Sequence, residues 1–204
     1  MKDDKDTVKA GYNSIANEYL ASRTVDSADV ELIHWLLPLL PINSLILDAG
    51  CGAGIPISRL LSQEHRVVGI DFAIRQLVLA HELVPQVSFA CQDISFPGFP
   101  NGLFDAICSY YAIIHIPRNL HAGIFSRFFN LLKPSGLALL CLGANDLEAD
   151  KVDDYLGAPM FWSHFDAETN MNLLTNCGFK ILKSTILEDA SWPGSGHLFV
   201  LIQK

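Results

Sequence analysis

The sequence predicts an α/β domain: a seven-stranded, mostly parallel sheet with an antiparallel last strand, helices on both faces and further helices at the N-terminus. Three observations predict it. Hydrophobic residues make up 50% of the 204 and charged residues only 18%, the balance of a sheet covered on both sides by helices. Apolar runs of strand length alternate with helical stretches through the middle of the chain. The last two such runs are joined by a connection short enough for an antiparallel hairpin. At this length one domain is expected, with residues 1–42 as an N-terminal helical cap and 43–204 as the core, carrying a cap insertion near 144–165.

Charge narrows the function classes. Lys+Arg 14 against Asp+Glu 22 gives a net charge of -8, which argues against nucleic acid as partner, because phosphate contacts need clustered Lys and Arg. The start, Met1-Lys2-Asp3-Asp4-Lys5-Asp6, lacks the apolar core of a signal peptide, and no apolar run is long enough to span a bilayer. A cytoplasmic monomer or homodimer without a membrane partner is expected. Cys51, Cys91, Cys108, Cys141 and Cys177 are an odd number without a C-x-x-C pair. They are expected to be buried free thiols.

Val8, Tyr12, Ile15 and Tyr19 recur at helical spacing, so residues 7–22 are predicted to form an amphipathic helix. A second, largely apolar helix is predicted over 27–37, ended by Pro38 and Pro41. The first strand is Leu45-Ile46-Leu47, running into Asp48-Ala49-Gly50-Cys51-Gly52-Ala53-Gly54. Glycine there admits positive φ and the close approach of a ligand. Beyond it a helix starts, with Pro56 accommodated in its first turn. Ile55 stands where the third glycine of a dinucleotide fingerprint would be, so the match is to D-x-G-x-G-x-G and not to G-x-G-x-x-G.

At this motif the chain resembles the Rossmann-like, class I S-adenosylmethionine-dependent methyltransferases, of the small-molecule type. The resemblance implies S-adenosylmethionine as cofactor, S-adenosylhomocysteine as product, and Asp48, Gly50, Cys51 and Gly52 among the cofactor-binding residues. Tyr12 to Tyr19 is also similar to the Y-x-x-x-A-x-x-Y segment that closes over the cofactor in many such enzymes. Packing of the same aromatic stripe on the core is the other reading of Tyr12 and Tyr19.

The second strand, 67–72, ends in Asp71 and Phe72. Asp71 lies roughly twenty positions beyond Asp48, the distance at which a carboxylate meets ribose hydroxyls; alternatively it caps the next helix. The third strand, 87–91, is followed by Gln92, Asp93 and Ile94. The resemblance implies that Asp93 accepts from the adenine amino group and Ile94 packs on the ring, whereas Asp93 as a turn former is equally open. The fourth strand, 104–110, brings Ser109, Tyr110 and Tyr111 toward the switch point of the sheet, with His115 beyond. His115 is read either as a core residue or as an active-site base.

A helix over 117–132 and a turn at 133–136 precede the fifth strand, 137–142. Residues 145–155 are acidic and aperiodic, and are predicted to be a solvated helix or an excursion. Residues 157–165 crowd Met160, Trp162 and His164 into a connection, as packing on the sheet or as a pocket wall. Asp166 caps a helix reaching Cys177, with Gly178 as its stop. Strands over 179–186 and 197–202 close the sheet, the arrangement that the resemblance implies.

The function expected is methyl transfer to a small molecule or short peptide by direct displacement, without a metal. His115 and His164 are the candidate bases, and Tyr111, His115, Met160, Trp162 and His164 the candidate acceptor-binding residues. The alternatives are a nicotinamide-dependent oxidoreductase, disfavoured by the glycine spacing, and a non-catalytic cofactor-binding or interaction module.

Overall fold

In a computed structural model, residues 4–188 and 195–204 are described. Residues 1–3 of the charged start and 189–194 of the connection between the last two strands lie outside them. The sheet has seven strands in the order β3-β2-β1-β4-β5-β9-β8. These are β1 (Leu45–Ala49), β2 (Arg66–Asp71), β3 (Ser88–Cys91), β4 (Phe104–Ser109), β5 (Leu132–Gly143), β8 (Lys180–Glu188) and β9 (Gly196–Gln203). The strands from β3 through β5 pair in parallel, and β9 is antiparallel to both β5 and β8. Adjacent residues along the central strands bury on opposite faces, Leu47, Ile107 and Ala138 in one core and Ile46, Ala106 and Leu139 in the other, as the two-residue pleat requires. The first core is covered by α6 (His121–Leu131) and α7 (Ala167–Asn176), the second by α4 (Ile57–Leu61) and the segment containing Ile33 and Leu36.

Several predicted elements differ in detail. The first helix is two, α1 (Asp4–Ser14) and α2 (Ala16–Ser22), broken at Ile15 with φ -105 and ψ 22. The break buries Ile15 and sets the Tyr12 and Tyr19 rings edge to face at 5.0 Å. The second predicted helix is one turn, α3 (Ala28–Glu31), followed by 3₁₀ turns at Leu32–Trp35 and Leu37–Leu39. Pro38 explains the latter, since it supplies no N–H and disfavours helical geometry in the residue before it. Pro56 sits just before α4 and not inside it. Helix α6 begins after a 3₁₀ turn at Arg118–Leu120. Residues 133–136 turn within β5, an interruption at which the β4 register jumps from Phe104 to Ala106 and Ser135 takes φ 62. Helix α5 (Ile74–Leu83) follows β2, and Asp166 caps α7 by accepting from Thr169 N at 2.7 Å.

The acidic segment is not helical. It forms β6 (Leu147–Tyr155), paired antiparallel with β7 (Ala158–His164) through a turn in which Leu156 and Gly157 both have positive φ, the geometry that joins twisted strands in two residues. This hairpin and α1 share an apolar cluster that includes Val8, Met160 and Phe161. All five cysteines are free thiols, but only Cys51, Cys108 and Cys141 are buried; Cys91 is exposed and Cys177 half-buried. Cys91 ends an edge strand, and Cys177 follows α7 with its thiol against Ser126 and Ala122 of α6. Among the described residues no helix is long and apolar enough to cross a membrane.

Candidate active site

The glycine turn caps the carboxyl end of β1, where β4 departs from the order of its neighbours and a crevice opens. Gly50 N and Cys51 N donate to Ile70 O at 2.8 and 3.0 Å, so the turn is fixed to the end of β2. Gly50 (φ 81) and Gly52 (φ 53) both need the left-handed region, for different surroundings. A Cβ on Gly50 would lie 2.2 Å from Ala112 Cβ, whereas one on Gly52 would meet only Gln76 Oε1 at 3.7 Å.

Both carboxylate oxygens of Asp71 accept from backbone N–H groups, and the N-cap position of α5 is Ala73, not Asp71. Its Oδ1 accepts from Ala73 N at 2.8 Å at the start of α5, and its Oδ2 accepts from Gly52 N at 3.0 Å beside the cavity. Burial pushes its carboxyl up to about 6, against the pull of these backbone donors. Asp93 accepts from Ser95 N at 2.8 Å as a turn former and from Lys5 Nζ at 2.8 Å. Burial raises its pKa, but the Lys5 and Ser95 hydrogen bonds outweigh it and hold Asp93 below its usual value. Gln92 Oε1 accepts from Gly98 N at 2.8 Å.

One cavity collects Tyr12, Tyr19, Gly50, Gly52, Asp71, Phe72, Gln92, Asp93, Ile94, Tyr110, Tyr111 and His115. At its far wall Tyr12 Oη and His115 Nε2 are 2.8 Å apart, and His115 Nδ1 is 2.8 Å from Phe161 O. A carbonyl only accepts, so Nδ1 carries the hydrogen and Nε2 receives the Tyr12 hydroxyl. Burial pushes the imidazole down to about 4 and the Tyr12 phenol well above its usual value. This half of the site is therefore neutral at neutral pH.

Six expected site residues stand apart from that cavity. Asp48 is 1% exposed and accepts from Ser58 Oγ at 2.5 Å, and burial raises its carboxyl to about 7. It ties β1 to α4 and faces, with Cys51, a second cavity that shares Gly50 and Gly52 with the first. Ser109 is fully buried and donates to Ala49 O at 2.8 Å. Met160 is fully buried beneath Gly11. His164 Nδ1 is 2.7 Å from Asn145 O and its ring packs against Gly143, which corrects its expected place in the pocket wall. Trp162 stands behind His115 at 5.3 Å between ring centroids; it backs the wall without lining it.

A methyltransferase-domain family model matches residues 46–136, which hold the glycine turn, Asp71, Asp93 and His115. Those residues resemble a methyltransferase domain over a little less than half of this chain. Among curated relatives, the chain is 27% identical over 186 residues to the phosphoethanolamine N-methyltransferase of Plasmodium falciparum, covering 88% of this chain and 66% of that one. It is 28% identical over 137 residues to the 2-methyl-6-phytyl-1,4-hydroquinone methyltransferase of Synechocystis sp., covering 62% and 40%. The chain thus spans less than two thirds of the length of either relative. Its fold superposes with TM-score 0.74 and 20% identity on the Burkholderia thailandensis 1,6-didemethyltoxoflavin-N1-methyltransferase, over 96% of this chain and 86% of that one; that structure holds its substrate and S-adenosylhomocysteine.

Residues that no motif singles out also line the two cavities. Val8, Ala112 and Ile116 are apolar wall. Arg23 lines the second cavity, with its guanidinium 3.0 Å from Asp29 and stacked 4.8 Å over Tyr111. Gln76, on the buried face of α5, belongs to the lining of the first cavity. A polar side chain among the apolar positions of that helix is the signal that could have found it.

Proposed function

We propose that the protein transfers a methyl group from S-adenosylmethionine to a small molecule. The observation that carries this reading is the single cavity in which the Gly52–Asp71 cradle meets the Tyr12–His115 pair. The residues suit the cofactor. Asp71 would accept from ribose hydroxyls, while Asp93 and Ile94 would hold adenine, with Lys5 sharing the Asp93 carboxylate or yielding it. The backbone at Gly50 and Gly52 lets the amino-acid end pass, and Arg23 supplies a cation for a carboxylate in the adjoining cavity. When bound, the sulfonium supplies a methyl group already activated by positive charge.

The chain's own part is to orient the acceptor and exclude water. The Tyr12 hydroxyl spends its hydrogen on His115 and turns oxygen lone pairs toward the cavity, where they accept from an acceptor N–H or O–H. The cofactor these residues would hold would supply its methyl carbon to the acceptor's electron pair and leave as the neutral thioether. The acceptor's proton then passes to Tyr12 as Tyr12 yields its own to His115. An imidazole held near 4 is a weak base, and a nearby sulfonium makes it weaker. The site therefore suits a neutral amine, or another nucleophile that attacks without prior deprotonation, better than an alcohol. The similarity to a phosphoethanolamine N-methyltransferase agrees with a nitrogen acceptor.

Two measurements test this. Calorimetric titration should show S-adenosylhomocysteine binding, with Asp71→Ala weakening it by about 2–4 kcal/mol and NADH giving no heat. In assays against a panel of small amines, Tyr12→Phe and His115→Ala should lower kcat/KM for the acceptor by about tenfold, the worth of a lost orienting hydrogen bond, at unchanged cofactor affinity. Wild-type turnover in both variants would reduce the pair to packing.

A further inference from the structure

The geometry points to Gln76 as a cofactor-recognition residue whose amide hydrogen-bonds a ribose hydroxyl, completing the cradle formed by Gly52 and Asp71. This inference rests on the S-adenosylmethionine reading above. Gln76 is 1% exposed, and neither its Oε1 nor its Nε2 has a hydrogen-bond partner among the described residues. Buried amides are nearly always paired, and one left with both ends unmet burdens the fold. Its helical neighbours on the buried face are Leu77 and Ala80, so methionine or leucine would occupy the place without that burden.

The residue nevertheless belongs to the cavity lining, with its amide oxygen and nitrogen covered in the ligand-free structure. It lines the same space as Asp71 and Gly52, and its Oε1 is the nearest atom, at 3.7 Å, to the Cβ position that Gly52 leaves empty. Asp71 already accepts two backbone N–H groups, and a carboxylate can only accept. A ribose hydroxyl needs an acceptor for its hydrogen and a donor for its lone pair. Asp71 provides the first and Gln76, with Nε2 donating, the second.

The test compares wild-type with Gln76→Met, a nearly volume-conserving change, and with Gln76→Leu should the first fold poorly. Affinities are measured by calorimetry for S-adenosylhomocysteine and its 2′-deoxy and 3′-deoxy analogues. Gln76→Met is expected to weaken S-adenosylhomocysteine about tenfold, to keep or raise the ligand-free melting temperature, and to show no loss for the analogue lacking the contacted hydroxyl. An unchanged affinity overturns the assignment, as does an equal loss for all three ligands, which would leave the amide only shaping the cavity. Wild-type protein that fails to bind S-adenosylhomocysteine overturns the functional reading and this inference with it; wild-type binding with an indifferent Gln76→Met overturns this inference alone.

Discussion

Two glycines of one motif do different work, and a single methyl group separates them. Gly50→Ala adds a Cβ 2.2 Å from Ala112 Cβ at a backbone with φ 81, so overpacking and strain combine to cost about 2–5 kcal/mol. Gly52→Ala carries only the strain, about 1–2 kcal/mol, because its Cβ enters open cavity beside Gln76. Scanning calorimetry should show Gly50→Ala losing about 5–15 °C in Tm. Gly52→Ala should lose a few degrees yet bind S-adenosylhomocysteine at least tenfold more weakly, since the methyl group stands in the ligand's path; equal Tm losses would refute the distinction. The motif was legible from spacing, but its acid was not. Asp48 and Asp71 both close apolar strands, and period two says only that Asp48 shares a face with Ile46; that this face meets Ser58 of α4 is tertiary information.

The element that encloses the site is the seam between α1 and the β6–β7 hairpin. Its ion pair, Lys151 with Asp4 at 2.7 Å, is largely exposed at the lysine and contributes little, so apolar contact and close backbone approach hold the seam. Gly11 allows that approach: a Cβ there would lie 2.8 Å from Pro159 O and 3.0 Å from Met160 Cε. Helix propensity alone makes Gly→Ala stabilising by about 1 kcal/mol. Gly123 in α6, which has nothing within 4 Å of its Cβ position, should show that gain as a rise of about 2–4 °C in Tm. Gly11→Ala should instead lower Tm and raise the acceptor KM, because α1 carries Tyr12 and moves it from His115. A Tm gain equal to that of Gly123→Ala would mean the seam is loose. Sequence periodicity could not reveal this hairpin, because most of β6 is solvent-exposed and acidic; its strand form comes from pairing with the more buried β7. Helix and sheet elements with two buried faces, such as β4 and β5, were legible because their own residues carry the pattern.

At the scale of the whole molecule, opposing buried titrations shape the response to pH. Burial raises Asp48 to about 7 and Asp71 to about 6, so the folded state binds their protons more tightly than the unfolded state does. Their contribution is greatest below the unfolded carboxylate value and is lost as pH rises through 6 and 7. Burial lowers His115 and His121 to about 4, so the folded state binds those protons less tightly. Their contribution is full above the unfolded histidine value and is lost as pH falls toward 4. Between about pH 4 and 6.5 the two slopes oppose one another, with His164, also lowered by burial, adding to the histidine side, so the ligand-free Tm should vary less with pH than either set alone would make it. Cofactor binding removes the balance, because only an ionised Asp71 accepts from both ribose hydroxyls. The affinity for S-adenosylhomocysteine should therefore be constant above about pH 7 and fall toward tenfold per pH unit well below 6, a loss of about 1.4 kcal/mol for each unit. In melting experiments with saturating ligand, the Tm gain should shrink by about 3–6 °C for each such unit. Asp71→Asn, which cannot ionise, should bind weakly and with the same affinity from pH 5 to pH 8. A slope that survives in Asp71→Asn would assign the titration to another group and remove Asp71 from the ribose site.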